Sequence, residues 1–187
     1  TQTASFISAR PETEVSGWHN TVSSEAGYSI KGQTISISAQ ERKVFENIFL
    51  NEIIEGEYAN ASGEIAVSSS LKDTVSISLN ETVELYKSDG SVTAYSVVCF
   101  LDDTETSRLV EGDTPIAVMT PTGFEALLVA DADTSYVVQF SRICNIPDII
   151  KGIKESNHLS EEQMTGNIPL LSIQGQIAGK TGVDQIY

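Results

Sequence analysis

The nearest approach to a ligand-binding signature is GQIAGKT at residues 175–181. In a GxxxxGK[ST] loop, glycine lets backbone amides close around phosphate oxygens, lysine neutralises them, and a helix opens directly behind. Gln174 stands where the first glycine belongs, and six residues follow Thr181. Neither the turn nor the helix is supplied, so no nucleotide is expected there.

Nucleophilic and metal chemistry are equally short of material. The chain has two histidines, His19 and His158, and two cysteines, Cys99 and Cys144. A Ser–His or Cys–His pair needs an imidazole held rigidly beside the nucleophile, and no G-x-S-x-G elbow is present. Zinc needs four ligands at close spacing, and neither CxxC nor HxxxH occurs. Both histidines are therefore expected on the solvated surface. Both cysteines lie in apolar runs and are expected as buried thiols, with a disulfide between them left open. Carboxylates are numerous enough that a glycosidase-type pair stays open on count alone, although most fall at turns. Asp131 with Asp133, and Asp102 with Asp103 and Glu105, offer oxygen ligands, yet no DxDxDG loop closes around either group. No metal, cofactor or catalytic residue is expected.

Charge narrows the partners. Twenty-six acids against 11 bases leave a formal charge of −15. Binding phosphates releases counterions through Lys and Arg, so nucleic acid and anionic membranes are disfavoured. About half of this charge lies in residues 102–133, where Arg108 is the lone base. No run approaches the ~20 apolar residues of a membrane span and no signal segment opens the chain, so no membrane association and synthesis in a cytoplasm are expected.

The elements that would position any site read as mainly β with one major helix, an α+β chain. The helix is expected over residues 39–55: Ser38 and Glu41 have capping-box spacing and Gly56 supplies a stop. Val44, Phe45, Ile48, Phe49 and Ile53 form one apolar stripe, with Leu50 and Ile54 on a second. Period-2 alternation follows at residues 65–68, 74–79 and 82–85, and Asp89-Gly90 between two strand patterns marks a hairpin. Further strands are expected at 28–37, 92–101, 116–120, 124–130 and 136–143, and a short helix from Pro147. Together these predict an antiparallel β-sandwich or barrel over residues 28–146, flanked by the helix.

Both ends lack such pattern. Residues 1–27 are rich in Ser, Thr and Glu with scattered apolar residues, and read as an extended N-terminal arm anchored by Phe6, Ile7 and Trp18. Residues 147–187 read as short helices and an apolar tail containing Leu170, Leu171, Ile173 and Ile177. Exposed, such a tail is an aggregation hazard, so it is expected to add a strand to its own sheet or a neighbour's. With Leu50 and Ile54 these residues form the expected interface with copies of the chain or other assembly proteins. The function expected is a non-enzymatic structural subunit of a virion, of tail-tube or capsid-decoration type. A carbohydrate- or protein-binding β-sandwich module and a β-rich hydrolase are the alternatives.

Overall fold

The computed structural model describes residues 2–49, 52–102, 114–127, 129, 132–141 and 145–159. In chain order the elements are α1 (Gln2–Ser8), β1 (Thr13–Val22), a 3-10 turn (Ser24–Ala26), β2 (Ser29–Ile30), β3 (Gln33–Thr34) and β4 (Ser36–Gln40). A helical turn α2 (Arg42–Val44) then runs into a π-helical turn (Phe45–Phe49), followed by β5 (Ile53–Gly56), β6 (Glu64–Ser68) and α3 (Ser70–Thr74). The rest is β7 (Thr82–Tyr86), β8 (Val92–Leu101), β9 (Ile116–Met119), α4 (Pro121–Glu125), β10 (Asp133–Phe140) and α5 (Ile146–Asn157). Among the described residues, those within 15–139 form one compact unit, and 2–14 with 140–141 and 145–159 form another.

The chain is mainly β with several helices, and its strands make a mixed sheet in the order β10-β1-β4-β9-β6-β8-β7-β2-β3, with β5 beside β8. The expected all-antiparallel arrangement is corrected by two parallel pairs, β4 with β9 and β6 with β8. Parallel neighbours are covered on both faces, which is why β6 (EIAVS) and β9 (IAVM) are apolar almost without alternation. One face carries Ile37, Ile65, Val67, Tyr95, Val97 and Met119 in a single core. The other carries Phe45, Tyr58, Ala66, Cys99, Leu101, Ile116 and Val118. The hairpin at Asp89-Gly90 forms as its sequence requires: β7 pairs β8 antiparallel, Gly90 has φ +89°, and Asp89 accepts from the Ser91 amide at 2.9 Å.

Two larger expectations are overturned. The helix over residues 39–55 is not formed; the interval holds the end of β4, the α2 and π-helical turns, and β5. Ser38, read as a helix cap, lies in a strand paired with β1 on one side and β9 on the other. Two flanking ladders outweigh a local capping signal that contributes about 1 kcal/mol. The expected stripes are not kept: Val44 and Phe45 are buried within the turn, whereas Ile53, expected on the same stripe, lies with Ile54 on an exposed strand. The extended arm of residues 1–27 is likewise replaced by α1 and β1, the latter pairing antiparallel with β4 from His19↔Gln40 to Val22↔Ile37. Among the described residues no strand forms at 74–79 or 124–127, where α3 and α4 instead overlap the starts of the expected strands. At α4 the reason is local, because Thr120 caps the helix by accepting from the Gly123 amide and Pro121 opens it.

In the smaller unit, α1 and α5 pack together. Ala4 and Ile7 of α1 and Ile149 and Ile153 of α5 are buried. The Arg10 guanidinium lies over the Phe6 ring.

Candidate functional site

The expected interface residues that the structure describes are Phe6, Ile7, Trp18 and Ile54. Phe6 is 39% exposed and Ile7 is buried, both on α1 in the smaller unit. Trp18 on β1 and Ile54 on β5 belong to the larger unit, on strands far apart in the sheet order. Leu50, Leu170, Leu171, Ile173 and Ile177 lie outside the described residues, as does Cys144. Trp18 stands edge-on to Tyr136 of β10 with ring centroids 5.0 Å apart. Around them Tyr136 Oη hydrogen-bonds Ser16 Oγ at 3.0 Å, and Thr134 Oγ1 donates to Asn20 Oδ1 at 2.8 Å. This makes an aromatic and hydroxyl-rich strip across β1 and β10 in which Trp18 stays 37% exposed.

Two concentrations of polar groups could do chemistry. The first is a cleft of about 290 Å³ lined by Gly56, Glu57, Tyr58, Asn60, Glu64, Leu79, Asn80 and Val98. Of its two carboxylates, Glu57 and Glu64, the latter is already engaged, accepting from the amides of Asn60 and Ala61 at 2.8 and 3.0 Å. Those bonds favour the ionised form and hold Glu64 below its usual value, which weakens it as a base. Asn60 Nδ2 in turn donates to the Tyr58 carbonyl at 2.8 Å. The cleft therefore offers hydrogen-bonding groups around a Glu64 carboxylate that is already committed to backbone amides. Among the described residues no group of three or more His, Cys, Asp or Glu is placed to hold a metal ion.

The second is buried and was missed in the sequence. His19 is 9% exposed, not solvated, and its Nε2 lies 2.8 Å from Ser38 Oγ. Ser38 Oγ donates to Gln40 Oε1 at 2.7 Å, and Tyr58 Oη donates to the Gln40 carbonyl at 2.7 Å. Because the Ser38 proton is committed to Gln40, His19 Nε2 is the donor in their shared bond. Ser38 is fully buried and its proton points away from the imidazole, so this Ser–His pair is not arranged as a nucleophile and base. The Phe49 ring packs on the imidazole at 4.5 Å. Burial pushes His19 down to about 4 and Cys99 up to about 12. The available signal was alternation in residues 17–21: Gly17, His19 and Thr21 share one face of β1, and the glycine marks a close approach. A Cβ at Gly17 would lie 2.6 Å from Val44 Cγ2.

No protein family model and no curated protein matches the chain. Solved structures do share its fold. The periplasmic region of MacB from Actinobacillus actinomycetemcomitans matches with a TM-score of 0.60 at 11% identity, over 83% of this chain and 71% of that one. A domain of a putative permease protein from Porphyromonas gingivalis matches with a TM-score of 0.52 at 14% identity, over 81% and 67%. The extracellular domain of the noncanonic ABC-type transporter YknZ from Gram-positive bacteria matches with a TM-score of 0.50 at 9% identity, over 86% and 84%. These likenesses correct the expected virion subunit, together with its location in a particle after synthesis in a cytoplasm and its independence of membranes. The fold is one found in periplasmic and extracellular domains of transporter proteins. Among the described residues no helix is long and apolar enough to cross a membrane.

Proposed function

We propose that this chain is an extracytoplasmic domain of a membrane transporter's permease subunit, acting through protein contacts and carrying no catalysis of its own. The observation that supports this most is the shared fold with the MacB periplasmic region over 83% of the chain. In this reading Phe6, Trp18 and Ile54, exposed by 39, 37 and 55%, are partner-contact residues, aromatic and aliphatic anchors of the kind that dominate protein interfaces.

The test is topological. In cells that produce the native protein, an antibody against this domain should find it in the membrane fraction. Protease added outside spheroplasts should degrade the domain while sparing a cytoplasmic marker. Recovery in the soluble fraction, or protection until the membrane is lysed, overturns the proposal.

A further inference from the structure

The buried histidine is used by none of the contacts proposed above, and its surroundings suit a conformational role. His19 is roofed by the segment from α2 through the π-helical turn. Phe49 lies against its ring at 4.5 Å, and Val44, fully buried, fills the space over Gly17. Phe45 also anchors the roof, its ring packing on Tyr58 at 4.6 Å. π-Helical turns are rare, and where they occur they frequently mark functional positions.

We propose that His19 is an acid-sensitive latch: protonated, it expels its roof, residues 42–49, while the sheet beneath stays intact. Neutral imidazole satisfies its environment by donating from Nε2 to Ser38 Oγ. A second proton puts a charge on an imidazole that is 9% exposed, where burial penalises the charged form. From β4 the groups that face His19 are the neutral Ser38 and Gln40, and Gln40 Nε2 is buried without a partner among the described residues. The roof's charges are committed at the surface, Arg42 to Glu46 at 2.7 Å and Lys43 to Glu41 at 2.9 Å. On β10, Ser135 Oγ meets the His19 carbonyl at 3.4 Å, and Asp133 is exposed. Tyr58 is held neutral by burial. Burial alone moves His19 from 6.5 to about 4, with no neighbouring charge contributing.

The sign and size follow from linkage. A buried base with a lowered value binds its proton better once released, so opening is favoured as pH falls through 6.5 and levels off near 4. Between pH 7.5 and 5.0 the opening equilibrium should rise about thirtyfold. Hydrogen exchange read by mass spectrometry, corrected for intrinsic rates, should show that loss of protection in residues 42–49 and none in β8. His19→Gln, which keeps a donor near Nε2, should abolish the pH dependence. Protection of 42–49 that does not change with pH, that falls equally in the variant, or that falls together with β8 overturns the latch. Should His19→Gln fail to fold, NMR titration of the wild-type imidazoles decides, with His158→Gln identifying the His19 signal. A midpoint well below 6.5 is expected, and one near the free-imidazole value overturns the proposal.

Discussion

Replacing Gly56 with alanine tests most directly how β5 is held on the sheet. Gly56 has φ +86°, in the region that costs an L-residue about 1–2 kcal/mol. A Cβ there would lie 2.0 Å from the Val98 carbonyl oxygen and 3.0 Å from Leu79 Cδ1, and the oxygen is backbone that no rotamer change can move. Relief requires β5 to withdraw from β8 by more than 1 Å, to reach the 3.4 Å at which ordinary contact begins. That movement lengthens the 3.1 Å bond from the Glu57 amide to Val98 O beyond hydrogen-bond range and breaks the pairing of Gly56 with Cys99. One or two backbone bonds at about 1 kcal/mol each, added to the dihedral cost, give about 3 kcal/mol. Gly32 is the matched control: its φ is +84° and nothing lies within 4 Å of its Cβ position. Gly32→Ala should therefore show the dihedral cost alone, about 1–2 kcal/mol. Urea unfolding followed by far-ultraviolet circular dichroism measures both. Equal destabilisation by the two substitutions would refute the claim that close approach, not φ alone, demands glycine at 56.

Other substitutions probe the two faces of the sheet. Tyr58→Phe keeps the ring on Phe45 but removes the donor to the buried Gln40 carbonyl, and should cost about 1–3 kcal/mol in the same urea assay. Ser68→Ala should cost a similar amount, about 1–3 kcal/mol, because Ser68 Oγ accepts the buried Ile116 amide at 2.8 Å and anchors the start of β9. In a chain carrying Cys144→Ser, the buried Cys99 thiol should react with an aromatic disulfide reagent at pH 8 only as fast as the protein opens, and rapidly in urea. Ile153→Ala, at a fully buried position of α5, should cost about 2–5 kcal/mol by thermal melting if α5 folds with α1 as a packed pair.

What could be read locally was read correctly where local chemistry leaves one solution. Asp89-Gly90 makes its turn because the side chain bonds its own backbone and glycine accepts positive φ, and α5 follows the proline that opens it. Residues 38–56 failed for the opposite reason. Caps and stripes there favoured a helix by tenths of a kcal/mol per residue, whereas pairing of β4 on both edges satisfies a full row of backbone groups. The segment 13–22 failed similarly. Its polar residues suggested an unsupported arm, but their partners lie on β4 and β10.

The order of residues was enough to establish an acidic, β-rich α+β chain without a phosphate loop or zinc spacing, since composition and short spacings are properties of the chain alone. Strand order, the two parallel pairs, and the fate of His19 depended on contacts between residues remote in sequence. His19 is read as solvated from its neighbours along the chain, and becomes a buried donor because β4 supplies Ser38 and the π-helical turn supplies Phe49. Burial and hydrogen bonding are set by what a residue meets across the fold, and no local pattern contains that information.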